Sequence, residues 1–285
     1  MIEYIKMLIV ALVTGLTAPL PASSAAHYNF FSNIVGLSSD TARLSLYYNC
    51  FIFVFSFVIL LSFRKTVSRG LKLAFSFKTA KYEDNGRDKF YFVKNVLLSV
   101  IPTLILFIPV SEGKILSDYM DSFLNLNGLI LSGIACIVTA CILITAMWYT
   151  SKTTNPIRRA VDKKTVVRLS VYQLPCYVIP GFSHIASGTV NLFISDIGAK
   201  SLIGQLYIYI GPSMFLVSGV KLVRLFLSGI IVDPFVLALG IAVFALASKL
   251  MISLAVKSNI RRLFTFFCVY SVVFGVFITA ISFFI

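Results

Sequence analysis

Ile179-Pro180-Gly181-Phe182-Ser183-His184-Ile185-Ala186-Ser187 interrupts a long apolar stretch with proline, glycine and a polar pair. An earlier stretch, Leu20-Pro21-Ala22-Ser23-Ser24-Ala25-Ala26-His27, is broken in a similar way, and the two hold both histidines of the chain. Irregular backbone at membrane depth survives only where protein or water satisfies its N–H and C=O groups. A pair of interrupted apolar segments, one in each half of a chain, points to a buried site between repeats.

The surroundings are membrane-like. Of 285 residues, 58% are hydrophobic and 13% charged, a balance that soluble domains do not reach and that describes one polytopic membrane domain, residues 1–285. The five cysteines lie in apolar segments without a C-x-x-C, so neither a disulfide framework nor a zinc site is indicated. The net charge of +14 would suggest nucleic acid in a soluble protein. Here it follows the positive-inside rule, and no nucleic-acid partner is expected.

Six spans are expected: Leu44–Phe63, Asn95–Val110, Gly128–Tyr149, Leu202–Val220, Pro234–Val256 and Leu263–Ile285. Basic residues crowd three loops, at Arg64–Lys89, Lys152–Arg168 and Lys257–Arg262. The connection Glu112–Asn127 carries three acids against Lys114. Basic loops inside and the acidic one outside give alternating crossings. Leu169–Ser195 must then enter from the cytoplasm and return, and Ile2–Gly36 must do so from outside. Each half, 1–150 and 151–285, becomes a re-entrant hairpin plus three spans. Three is odd, so the second half is inverted and both termini lie outside. Pro102 and Pro212 look like a further shared mark of the two halves. Lys6, the apolar run Met7–Leu16 and Ser24-Ala25-Ala26 also fit a signal peptide, but the echo at Pro180 argues for retaining the segment.

At these motifs the chain resembles the undecaprenyl-diphosphate phosphatase family, the bacitracin-resistance type of bacterial lipid phosphatase. Val13-Thr14-Gly15-Leu16-Thr17-Ala18-Pro19-Leu20-Pro21-Ala22-Ser23-Ser24-Ala25-Ala26-His27 is similar to that family's E-G-L-T-E-x-L-P-V-S-S-x-G-H. Asp40-Thr41-Ala42-Arg43 resembles its D-T-A-K, and Pro180-Gly181-Phe182-Ser183 the start of its P-G-x-S-R-S-x-x-T. The resemblance implies a bacterial inner-membrane protein that acts on a polyprenyl (di)phosphate carrier lipid in cell-wall synthesis and bacitracin resistance. It leaves a homodimer open.

The departures are chemical. The family's paired glutamates fall on Thr14 and Ala18, a further acid on Leu46, and the arginine of the second motif on His184. Two carboxylates four residues apart could hold a divalent cation or act as acid and base. Without them no metal site is expected at the breaks, although the family uses a divalent cation. The candidate catalytic residues are Ser24 as nucleophile, His27 three residues on as its base, and His184 as a cation replacing arginine. Ser23, Thr17, Gly181, Ser183 and Ser187 are the candidate substrate-binding residues, with N–H groups of the helices after each break facing the phosphates. Serines and threonines in membrane helices more commonly join helices than act as nucleophiles. The alternative to an enzyme is an inactive relative that binds or transports the lipid phosphate.

Overall fold

The computed structural model describes residues 2–37, 41–75, 90–111, 113–118, 128–152, 161–197 and 199–284. Asp40, like the stretch between residues 76 and 89, lies outside them. The described residues form eleven α-helices, one 3₁₀ segment and a two-stranded hairpin. In chain order these are α1 (Ile2–Thr17), α2 (Ser24–Ile34), α3 (Thr41–Ser62), α4 (Arg64–Ala74) and α5 (Tyr91–Val100). The 3₁₀ turn Ile101–Phe107 and strands β1 (Pro109–Ser111) and β2 (Lys114–Ile115) follow. Then come α6 (Gly128–Lys152), α7 (Lys163–Val178), α8 (His184–Ile194), α9 (Ala199–Leu227), α10 (Pro234–Lys257) and α11 (Ile260–Ile281).

Five of these, α3, α6, α9, α10 and α11, are long and apolar enough to cross a membrane. The expected second span is shorter, a helix over Tyr91–Phe107 that tightens to 3₁₀ at Pro102. Proline lacks the N–H an α-helix needs there and crowds the preceding turn. Asn95, Ser99 and Thr103 recur every four residues on this segment and are buried, a stripe packed towards α7 and α9. Such polar stripes join helices where the surroundings supply no hydrophobic drive. The two prolines are not a shared mark of the halves. Pro102 lies in the 3₁₀ turn after α5, on the second span expected after its break, whereas Pro212 lies inside α9, the first span expected after its own.

Packing follows from small residues. A Cβ on Gly133 of α6 would stand 2.7 Å from the Gly275 carbonyl oxygen, and one on Gly275 of α11 would stand 2.6 Å from that of Gly133. The two backbones therefore touch where neither residue has a side chain. α3 runs against α9, with Phe63 beside Gly204, Ile59 beside Gly211 and Phe53 beside Gly219. α1 lies on α10, where Ser248 donates to the Gly15 carbonyl at 3.1 Å. Phe51, Phe55 and Phe244 fill the core between α3 and α10, the rings of Phe51 and Phe244 stacked at 4.9 Å. Beyond α3, α4 turns its small residues Gly70 and Ala74 inward and leaves Arg64, Lys65, Arg69 and Lys72 exposed. At the opposite end of α9, Arg224 pairs with Asp118 and donates to the Gly113 carbonyl, which ties the β-hairpin to the helix.

Candidate functional site

Both proline breaks end in the same local device. Ser23 has extended backbone and its Oγ accepts the Ala26 N–H at 3.2 Å, starting α2. Ser183 repeats this for α8, its Oγ accepting from Ala186 at 3.3 Å. A serine N-cap is worth about 1 kcal/mol because it satisfies an N–H that the helix leaves open. The same two hydroxyls join the breaks across the molecule. The Gly181 N–H donates to Ser23 Oγ at 3.1 Å, and Ser183 Oγ donates to the Leu20 carbonyl at 3.4 Å. Tyr207 of α9 donates to the Pro19 carbonyl, so a third element holds the junction.

Gly181 is fixed by geometry. Its φ is +112°, and a Cβ there would meet the Ser132 carbonyl at 2.4 Å and Ala135 at 2.6 Å. Only a residue without a Cβ fits a left-handed turn pressed onto α6.

The two histidines occupy different surroundings. His27 is buried with its ring 3.9 Å from that of Phe274, and both nitrogens are used. A carbonyl can only accept, so Nδ1–H donates to the Ser23 oxygen at 2.6 Å, and Nε2 accepts from Tyr270 Oη–H at 2.6 Å. The expected Ser24–His27 pair therefore does not form. Ser24 Oγ instead lies 3.4 Å from the Tyr48 hydroxyl. His184 is held by Gln173, whose Nε2 donates to the His184 carbonyl at 3.0 Å and so turns Oε1 to the ring. His184 Nδ1–H donates to that oxygen at 2.7 Å, so that in its neutral form the buried ring has Nε2 as its lone-pair nitrogen. This arrangement offers a proton acceptor rather than the fixed charge expected in place of arginine.

A cavity of about 540 Å³ lies beside the junction. Tyr28, Asn29 and Asn33 of α2 face it, as do Thr41, Ser45, Tyr48 and Asn49 of α3. Tyr177, Pro180 and His184 contribute from the second break, and Ser218 and Lys221 from α9. Of the candidate catalytic and substrate-binding residues named from the sequence, His184 is the one among these lining groups. Ser23, Ser183 and Gly181 build the junction behind it. Thr17 donates to the Val13 carbonyl of its own helix at 2.9 Å, and Ser187 Oγ accepts from the Cys176 thiol at 3.3 Å. Thr14, Ala18 and Leu46, where the glutamates and acid of the family pattern fall, are buried.

Sequence reasoning missed Gln173, Tyr48, Lys221 and the three asparagines. Gln173 carried a signal, an amide inside an apolar stretch eleven residues before a histidine. Lys221 lay one residue beyond the expected end of its span at Val220.

A junction of two proline-broken helix pairs, set beside a polar cavity among apolar helices, defines a multi-pass α-helical membrane protein with an internal site. A family model described as bacitracin resistance protein BacA matches residues 7–277, and the chain belongs to that family. It is similar to undecaprenyl-diphosphatase 2 of Bacillus thuringiensis (strain Al Hakam), 29% identical over 136 residues, 48% of this chain and 46% of that protein. The undecaprenyl-diphosphatase of Oceanobacillus iheyensis is 26% identical over 140 residues, 49% of this chain and 46% of that protein. The chain thus spans about half the length of these relatives. The match to the undecaprenyl-diphosphatase of Bacteroides fragilis (strain ATCC 25285) is 26% identical over 288 residues and covers 98% of each.

Proposed function

We propose that this protein hydrolyses a polyprenyl diphosphate lipid to the monophosphate and inorganic phosphate, in the inner membrane of a bacterium. Family membership gives the substrate class. The single observation that carries the reading is the reciprocal bond between the breaks, Gly181 N–H to Ser23 Oγ and Ser183 Oγ to Leu20 O, set beside a polar cavity. In this reading Ser24, held against Tyr48 of the cavity wall, supplies the hydroxyl that attacks the terminal phosphorus. His184 Nε2 takes its proton, and the bond from phosphorus to the bridging oxygen breaks so that lipid monophosphate leaves. Water then releases phosphate from the serine. His27 acts as a positioning residue, clamping the Ser23 carbonyl at the start of α2. Among the described residues the polar lining of the cavity is amides, hydroxyls, His184 and Lys221, with no carboxylate. That donor set fits a divalent cation poorly, and no step here passes through one.

The topology belongs to the same reading. Both broken helix pairs re-enter the membrane, Tyr91–Phe107 is the sixth crossing, and the second half is an inverted copy of the first. Corresponding contacts support this: α3 pairs with α9, α6 with α11, and α1 packs on α10 as α7 packs on α5. A cysteine at exposed Lys114 should react with an impermeant reagent from outside, and one at exposed Ser258 only after permeabilisation. Equal labelling of the two would overturn the alternating crossings.

The test of function is phosphate release from undecaprenyl diphosphate by the purified protein, titrated with Mg²⁺ and Ca²⁺. Release that depends little on either ion is expected. A second reading, a binder without turnover, is favoured by the neutral Thr14 and Ala18 at the glutamate positions. Lipid binding without release would select it. If Thr14→Glu, Ala18→Glu and His184→Arg together create metal-dependent turnover that none creates alone, the lost groups acted as a unit. Loss of both binding and release overturns the functional reading.

A further inference from the structure

The part of the cavity between α2 and α3 is built differently from the second break beside it. Two tyrosines tie these helices together. Tyr28 Oη donates to the Leu44 carbonyl at 2.8 Å, and the Tyr48 hydroxyl lies 3.4 Å from Ser24 Oγ. Ser24 thus stands level with Tyr48, and Tyr28 with Leu44, so the two helices run antiparallel in a fixed register. Asn49, one residue past Tyr48, comes near the level of Ser24. Asn33 lies nine residues from Ser24 along α2, about 14 Å at 1.5 Å per residue. Asn29, Asn33, Ser45 and Asn49 all line the cavity. A polar wall therefore leads away from the serine of the first break.

That wall presents acceptors. A carbonyl only accepts, so the Asn33 amide nitrogen faces the Asn29 carbonyl at 2.8 Å, and the Asn49 amide nitrogen faces the Ser45 carbonyl at 2.8 Å. Both nitrogens bond within their own helices, and neither Oδ1 has a hydrogen-bond partner among the described residues. On α9, Ser218 gives its hydroxyl proton to the Met214 carbonyl at 2.6 Å, which leaves its lone pairs for the cavity. Asn49 carries the most weight. It is only 7% exposed, about two turns inside a helix long enough to cross a membrane. A polar atom in such a place costs stability unless a partner satisfies it.

Acceptors need donors. Ionised phosphate oxygens only accept, so this wall is not built for phosphate. Uncharged amide and hydroxyl oxygens suit uncharged hydroxyls, and polar groups one helical turn apart on each of two helices match a ring that bears several. Tyr28 and Tyr48 add aromatic surface against which the apolar face of such a ring packs. We infer that the α2–α3 wall is a hydroxyl-binding subsite, and that the cavity takes a glycosylated lipid phosphate, its phosphate at the break and its sugar along Asn49, Asn29 and Asn33. The inference rests on the lipid-phosphate reading above and extends it to the group beyond the phosphate. The shared chemistry also admits a free sugar phosphate.

The full chain in lipid nanodiscs is titrated by calorimetry with farnesyl diphosphate, farnesyl diphosphoglucose and glucose 1-phosphate. The glucosylated lipid should bind about 10-fold more tightly than farnesyl diphosphate, through the neutral hydrogen bonds it gains. Asn49→Leu should shrink that ratio by about 3- to 10-fold, the range for one such bond. Asn29→Ala, which removes no side-chain bond among the described residues, should shrink it as well, and it answers if Asn49→Leu does not fold. A wild-type ratio of one or less, or a larger one that neither variant changes, overturns the inference and leaves the lipid reading standing. Glucose 1-phosphate binding that depends on Asn49 or Asn29, with neither lipid bound, overturns the lipid reading and supports the hydroxyl subsite. Binding of none of the three probes by wild type overturns both.

Discussion

At the first break Ser23 caps α2, and the histidine four residues on turns into aromatic packing. At the second, Ser183 caps α8, and the histidine directly after it faces the cavity. The backbone device is common to both, since each helix start leaves N–H groups that a serine can satisfy. Placement of the histidine separates them. Four residues past the cap is one turn along, where the ring reaches back to the Ser23 carbonyl and lies against Phe274 and Tyr270. One residue past the cap is the first helical position, where Gln173 of the adjoining α7 reaches both the ring and the carbonyl of His184. One histidine thus braces the start of α2, and the other faces the cavity.

The largest test of this contrast is kinetic. His184→Ala should lower phosphate release by about 10²–10⁴-fold, the usual worth of a positioned acid–base group. His27→Phe should keep release within an order of magnitude of wild type. Its loss should appear as stability instead, about 1–3 kcal/mol for the unpaired Tyr270 hydroxyl and the lost ring bond to the Ser23 carbonyl, which keeps its bond from the residue-27 N–H, read by thermal unfolding in detergent. The reverse result would move the chemistry to the first break.

Next in size is the turn itself. Gly181→Ala combines a left-handed φ with overlap on the Ser132 carbonyl, and should cost about 3 kcal/mol or more. Ala22 at the first break already carries a Cβ, so Ala22→Gly should cost about 1 kcal/mol or less. Comparable thermal shifts in the two variants would show that the breaks are equally tight.

The smallest expected difference separates the two caps. Ser23 Oγ accepts from both Ala26 and Gly181, whereas Ser183 Oγ accepts from Ala186 and donates to Leu20 over a longer distance. Ser23→Ala should cost about 2 kcal/mol and Ser183→Ala about 1 kcal/mol, measured in the same unfolding assay. Equal costs would mean that the Gly181–Ser23 bond adds nothing beyond capping.

Apolar run length and the two Pro-x-Ser or Pro-x-x-Ser breaks were enough to locate the helix interruptions, because proline and a capping serine act within one turn of chain. They also announced the family, and with it the ligand class to be tested. The segment Tyr91–Phe107 was legible only in part: Pro102 signalled its disturbance, but the burial of Asn95, Ser99 and Thr103 depends on the helices packed against it. Thr14 and Ala18 could be read as missing carboxylates from the motif alone.

Which hydroxyl meets which imidazole was decided by tertiary structure. Ser24 and His27 are three residues apart, a spacing that allows a pair, yet Tyr48 and Tyr270 from distant helices engage their polar groups. Lys221 stands one residue past the expected end of its span, and the packing of α9 against α3 turns it towards a cavity. The division has one physical cause. Backbone breaks obey local rules that a sequence states outright, whereas a polar side chain inside a membrane protein bonds to whatever partner the folded chain brings within reach.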